Sequence, residues 1–322
     1  MITITLTYRD RDLNIVKKCL DSLMVQSSKA FNVTLVDYGS QDNYSNDINA
    51  LVSGYDFVKL IQCPVKGQLW NKSRAINMAL KQCETPYFLV GDIDLMFHPD
   101  FVKIANGNAS ENVLYFKYSF LSDEESQKNQ NFEDYKIDFL GGEEVTGTTL
   151  FPTDTLKKVN GYDEFYHGWG AEDTDIHNRL KTLGVKVNFY SENILVKHQW
   201  HPKAYRSKKS SSPFHSNLER VNHHYMQMTI NNEITVANSN TDWGIIPDKA
   251  NYSKLEEAPD VVVTISPIDI EFSALLSQFK NINNKVVRLV INEASLKDKA
   301  LQRIKKRLKK KYFHYLELET IN

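Results

Sequence analysis

YFLVGDIDLMFHPDF, residues 87 to 101, runs an apolar strand into two aspartates one residue apart, Asp92 and Asp94. Carboxylates at the end of a buried strand suit an α/β sheet, whose ligands sit beyond the carboxyl ends of its strands. The segments upstream extend this pattern. ITITLTY (2 to 8) is strand-like and leads into the helical spacing Ile15, Cys19, Leu20, Leu23. FNVTLVDYGSQD (31 to 42) and DFVKLIQC (56 to 63) read as further strands, and LWNKSRAINMALKQC (69 to 83) as a helix. This βαβαβ rhythm predicts a mostly parallel central sheet with flanking helices. Three polar stretches, TYRDR (7 to 11), DYGSQD (37 to 42) and GDID (91 to 94), then converge at one sheet edge, as a nucleotide pocket requires. Residues two apart on a strand share a face, so Asp92 and Asp94 are expected to point together into that crevice. Oxygen ligands of this kind suit Mg²⁺ or Mn²⁺; a turn built on aspartates is the competing explanation.

Composition narrows the function. The chain has 322 residues, 41% hydrophobic and 25% charged, with a formal net charge of −1. That balance lacks the basic footprint of a duplex-binding protein, so no nucleic-acid partner is expected. Cys19, Cys63 and Cys83 have no metal-ligand spacing and argue for buried thiols in a reducing compartment, hence a cytoplasmic protein. The N-terminus enters a strand directly, and no run of 18 apolar residues is present.

A second segment raises the weight of the aspartates. TGTTLFPTDTLKKVNGYDEFYHGWGAEDTDIHNRL, residues 146 to 180, carries an aromatic, glycine-rich turn from Tyr166 to Gly170. The turn runs into Glu172, Asp173 and Asp175 at the start of a helix expected over 173 to 183. Acids at a helix N-terminus favour the macrodipole, which accounts for one or two of them but not for the whole run.

NGYDEFYHGWGAEDTDIHNRL resembles the catalytic segment of β-1,4-galactosyltransferases and of bacterial chondroitin-polymerase-type glycosyltransferases, which share a GWG-x-ED-x-D-x-x-x-R pattern. The resemblance covers roughly residues 1 to 235. TYRDR, LWNKSRAIN and GDIDLMF are similar to other family motifs and fall in the same order. Thr7-Tyr8, Trp70 and Ala171 depart from the family's Pro-Phe, Phe and Gly. The resemblance implies a GT-A fold that binds a UDP-sugar with Mn²⁺, Mg²⁺ being the alternative. It implies that Arg9, Arg11 and Lys72 meet the diphosphate, that Trp70 stacks near uracil, and that Asp37 and Asp92 hold the nucleoside. Asp94 would ligate the metal, with His198 completing the coordination ahead of its neighbour His201. A nitrogen ligand beside carboxylates favours Mn²⁺ over Mg²⁺.

Glycosyl transfer needs neutralisation of the leaving diphosphate and deprotonation of an acceptor hydroxyl. Asp173 is the choice for the base, with Glu172 beside it, and Asp175, Trp169 and Gly170 are expected to orient the acceptor saccharide. A base opposite the leaving group implies an inverting transferase that moves a hexose or N-acetylhexosamine. A retaining GT-A enzyme is the nearest alternative; a nucleotidyltransferase shares the sheet and metal but has no use for the acceptor segment. QWHPKAYRSKKSSSPFHS (199 to 216) is expected to form a lid ordered by metal and donor.

The transferase domain is expected over 1 to 240, and a small α/β extension over 241 to 322. In the extension DVVVTI and KVVRLVI read as strands, with a helical pattern around Ile270 to Phe279 and a basic helix from about Ser295. Leu296, Ala300, Ile304 and Leu308 of that helix form one stripe among lysines and arginines. Packing on its own domain is the plainer outcome. Contact with the anionic inner face of a membrane, where lipid-linked acceptors are found, is the sharper one.

Overall fold

Every residue of the first strand, β1 (Ile2–Tyr8), is buried, the threonines included. Its I-T-I-T-L-T alternation therefore does not mark a half-exposed strand. Ile2, Ile4 and Leu6 pack into one core with Val16, Cys19, Leu20 and Leu23 of α1 (Leu13–Met24). Thr3, on the other face, shares a 2.7 Å hydrogen bond with the Thr85 hydroxyl. A strand covered on both sides belongs at the centre of a parallel sheet.

The computed structural model describes residues 1–66, 68–202, 215–254, 257–265, 285–291 and 316–321. After α1 the chain forms β2 (Phe31–Tyr38), α2 (Asp42–Val52), β3 (Val58–Cys63), α3 (Lys72–Lys81), β4 (Tyr87–Asp92) and β5 (Leu95–Phe97). Then come α4 (Phe101–Gly107), β6 (Val113–Phe116), β7 (Tyr118–Phe120), α5 (Asp123–Gln127), β8 (Phe139–Leu140), β9 (Thr149–Pro152) and α6 (Thr153–Lys158). The elements α7 (Glu172–Thr182), β10 (Val187–Tyr190), β11 (Val196–His198) and α8 (His215–Asn231) follow.

Seven strands form the main sheet in the order β10-β6-β9-β4-β1-β2-β3. All neighbours pair in parallel except β9, which runs antiparallel to both β4 and β6. The expected mostly parallel sheet is present, and its order reverses between β1 and β4. Such a reversal opens a crevice at the carboxyl ends. A second sheet, β5-β11-β7-β8, stands beside it.

By internal contacts the chain divides into Met1–Lys203 with Glu219–Ile246, and Ala204–Leu218 with Pro247–Asn322. The second unit contains α9 (Lys249–Ser253) and a three-stranded sheet of β12 (Val261–Ile265), β13 (Val286–Ile291) and β14 (Leu316–Ile321). The strand β12 pairs with β13 in parallel, and β13 with β14 antiparallel. DVVVTI and KVVRLVI are the first two strands; the third was not anticipated, although LELETI alternates with the period of a strand. The helical pattern at 270 to 279, the basic helix from 295 and most of the expected lid (203 to 214) lie outside the described residues. Cys19, Cys63 and Cys83 are free and buried. No helix among the described residues is long and apolar enough to cross a membrane.

Candidate active site

The register of the central strands brings the polar segments to one level. Thr7 lies opposite Asp92, and Tyr8 opposite Asp37. Asp92 is the last residue of β4, but the chain turns at Ile93-Asp94 before β5 begins. The expectation that the two aspartates share a strand face is therefore corrected: the turn aims them at different partners.

Asp94 faces the small sheet. In the antiparallel pairing of β5 with β11, His198 lies opposite Leu95, and the Gln199 amide donates to the Asp94 carbonyl at 2.9 Å. His198 Nε2 then stands 3.4 Å from Asp94 Oδ1, and His201 Nε2 3.1 Å from Oδ2. Arg11 Nη2 approaches Oδ2 at 3.4 Å. Burial alone would raise the Asp94 carboxyl, but His198, His201 and Arg11 outweigh it and hold the group well below the usual carboxylate range. The potential ligand atoms of Asp94, His198 and His201 all lie within 4.8 Å of one another. Asp94 Oδ1 is buried and takes no hydrogen bond from the described residues. An anionic oxygen left without a hydrogen bond beside two imidazole nitrogens fits a divalent metal ion. Both histidines, not one, are in place to serve.

Asp92 faces the other way, into a cluster around Lys72. The Lys72 ammonium lies 2.9 Å from Asp92 Oδ1, 3.1 Å from Asp173 Oδ2 and 3.8 Å from Glu172 Oε1. Burial works against its charge, but Asp173, Asp92 and Glu172 prevail and keep it protonated well above the ordinary lysine range. For Asp173 the balance runs oppositely. Burial raises its carboxyl, Lys72 opposes, and Glu172 and Asp92 add to the rise, which brings it to about 7. Its Oδ1 is buried and takes no hydrogen bond from the described residues.

Several residues of this cluster escaped the sequence reading. The Tyr118 hydroxyl donates to Asp92 Oδ2 at 3.5 Å and meets the Thr148 hydroxyl at 2.6 Å. A Cβ on Gly147 would sit 2.9 Å from the Tyr118 hydroxyl and 3.0 Å from Asp92 Oδ2. TGTT thus carries a glycine where the backbone closes on the carboxylates, a signal that reads only as a turn in one dimension.

The aromatic turn is fastened from two sides. The Gly168 amide donates to the Trp70 carbonyl at 2.7 Å. Asn71, whose side chain caps α3 at the Arg74 amide, also donates to the Glu164 carbonyl. From α8, Asn222 donates to the carbonyls of His167 and Trp169, and Tyr225 stacks on Phe165 at 3.7 Å. This helix was not anticipated. Gly168, Gly170 and Ala171 all take positive φ, 76°, 97° and 76°. Alanine at the last of these costs more than the family's glycine would. Trp169, expected at the acceptor, is 37% exposed.

The remaining expected residues are divided. Trp70 packs edge-on against Tyr38, and Arg9 Nη1 donates to the Gln68 carbonyl at 2.7 Å. Asp37 is buried and uses Oδ1 on the Ser40 amide and Oδ2 on the Ser45 hydroxyl, so it braces the end of β2. Asp175, expected to orient the acceptor, is instead turned inward. It accepts from Arg179 Nε at 2.8 Å, both side chains being 1% exposed, while the Arg179 Nη atoms donate to the carbonyls of Val159, Gly161 and Thr235.

Two family models match the chain: glycosyl transferase family 2 over residues 3–141, and the N-terminal domain of galactosyltransferase over 128–201. Chondroitin sulfate synthase 3 of Mus musculus is 25% identical over 159 residues, 47% of this chain and 18% of that protein. Beta-1,4-galactosyltransferase 4 of Homo sapiens is 25% identical over 127 residues, 38% of this chain and 33% of its own length. The chain therefore spans a third or less of these relatives. Among solved structures, S. aureus TarS superposes with a TM-score of 0.50 at 17% identity, over 79% of this chain and 41% of that one.

If the Asp175–Arg179 pair anchors α7, Asp175→Ala leaves a buried guanidinium without its carboxylate. Urea unfolding of that variant is expected to show a loss of about 3–5 kcal/mol. Unchanged stability with a raised acceptor KM would return Asp175 to the acceptor site.

Proposed function

We propose that this chain, whose residues 3–201 form a glycosyltransferase domain of the GT-A fold, transfers a hexose or N-acetylhexosamine from a UDP-sugar to a saccharide acceptor with inversion, dependent on a divalent metal. One observation carries the proposal. Two separate acid centres flank the turn after β4: Asp94 with His198 and His201, and Asp92 joined through Lys72 to Asp173 and Glu172.

Inversion requires a base on the face of the sugar opposite the leaving group. Asp173 suits that part: its Oδ1 takes no hydrogen bond from the described residues, and a carboxyl raised to about 7 can accept a proton near neutral pH. The acceptor hydroxyl gives its proton to Asp173 as its oxygen bonds to the anomeric carbon, and the bond from that carbon to the diphosphate breaks. Asp94, His198 and His201 would hold Mn²⁺, which supplies positive charge for the departing diphosphate. Arg11, already beside Asp94, would add to that charge, and Arg9 and Trp70 would serve the nucleotide. Trp169 and Gly170 offer the acceptor an apolar face and a close backbone approach.

The lysine- and arginine-rich stretch at 297 to 311 supports a further part of the proposal, contact with an anionic membrane surface where lipid-linked saccharides are presented.

Asp173→Asn is nearly isosteric and cannot take the proton. Transfer is expected to fall roughly 10²–10⁴-fold while UDP-sugar affinity stays close to wild type; an equal loss in donor binding would make Asp173 structural. Calorimetric titration with Mn²⁺ should show one site that Asp94→Ala abolishes, and persistence of that site would remove Asp94 from the metal.

Replacing Arg303, Lys306, Arg307 and Lys310 by glutamine should remove binding to phosphatidylserine vesicles. In the unmodified chain that binding should weaken from low to physiological salt, each basic residue near the surface contributing on the order of 1 kcal/mol. Absence of vesicle binding at low salt would leave the basic segment as part of its own domain.

A further inference from the structure

Lys72 was expected to grip the donor diphosphate, yet its surroundings suit a different task. Its ammonium has three donors and meets three carboxylates, those of Asp92, Asp173 and Glu172, at 2.9, 3.1 and 3.8 Å. It is the first residue of α3, and the Asn71 cap holds that end of the helix to the Glu164 carbonyl. Its side chain is only 12% exposed. To bind a phosphate oxygen it would have to give up a carboxylate, and the anionic donor would be drawn toward a cluster in which carboxylates outnumber the ammonium. Among the described residues, Lys72 is the only cation within salt-bridge distance of Asp173.

We infer that Lys72 is a positioning residue, the internal counterion that fixes Asp173 and sets the pH at which this base becomes ionised, rather than a ligand of the diphosphate. The inference rests on the proposed role of Asp173 as the base. The groups that face Asp173 are Lys72 from α3, Glu172 from its own helix, Asp92 from β4, Tyr118 from β7 and Tyr162 from the segment after α6. Lys72 alone among them stabilises the carboxylate by charge; Glu172 and Asp92 oppose it.

The signs follow directly. Asp173 must be ionised to act, so activity falls as pH drops through its pKa, about 7 in the free protein. Removing the ammonium makes ionisation harder and moves this acid limb to higher pH. Removing the Glu172 charge makes it easier and moves the limb to lower pH.

The test is kcat/KM against pH, which reports the free enzyme, together with UDP-sugar affinity measured separately by calorimetry. Lys72→Gln is expected to move the acid limb up by about one pH unit or more, a loss of roughly fivefold or more at pH 7 that alkaline pH recovers, with donor Kd nearly unchanged. Lys72→Arg should hold the limb near its wild-type place, and Glu172→Gln should move it down. If Lys72→Gln does not fold, Lys72→Gln/Glu172→Gln removes one charge of each sign, and its limb is compared with that of Glu172→Gln alone. A limb that stays in place while donor Kd weakens about tenfold overturns the inference and returns Lys72 to the diphosphate. A limb that persists unchanged in Asp173→Asn overturns it differently, because the failure then lies with Asp173 as the base.

Discussion

The pairing of β11 with β5 is the interaction on which the site depends. It sets His198 opposite Leu95, directly after the turn that carries Asp94, and so joins residues about a hundred positions apart in the chain. The same turn separates Asp94 from Asp92. Without it both carboxylates would lie on one strand face and repel each other across one crevice. With it each has its own partners, Arg11 and two histidines for Asp94, Lys72 for Asp92. Two neighbouring acids thereby lie in two different side-chain clusters.

The second centre is a balance of charge under burial. One ammonium faces three carboxylates in a place where water screens them little, so each group's protonation depends on the others. Such a cluster costs stability compared with apolar packing, and its persistence at a sheet edge is the pattern of a functional site. Asp175 is a useful contrast. It lies two residues from Asp173 on the same helix, and its guanidinium partner, held by three carbonyls, makes it an anchor for α7.

Much of the fold was legible because its signals are local. Alternation and short apolar runs marked β1 to β4, and the polar ends of three strands marked the crevice. The resemblance of GWGAED to transferase motifs singled out Asp173 and the histidines near 198. What stayed hidden depends on partners distant in sequence. Nothing within GDID reveals that the chain turns between Asp92 and Asp94, since the turn is fixed by β5 meeting β11. Lys72 is basic in any sequence reading, and only the fold shows that its charge is already taken. Asp37 and Asp175 carry the right chemistry for ligand binding, and their internal hydrogen bonds show where that chemistry is used. Gly147 and Tyr118 had no motif to mark them, and α8 follows a polar stretch that reads as a loop.

In the proposed reaction Asp173 takes the acceptor's proton on the side opposite the departing diphosphate, with Asp94 and the two histidines on the departing side. The anomeric configuration of the product tests this most directly. With an α-linked UDP-hexose donor and a saccharide acceptor, proton NMR of the freshly formed glycoside is predicted to show the large anomeric coupling of a β linkage for gluco- or galacto-configured sugars. An α-linked product would mean retention, and would contradict the assignment of Asp173 as the base of a single inverting displacement.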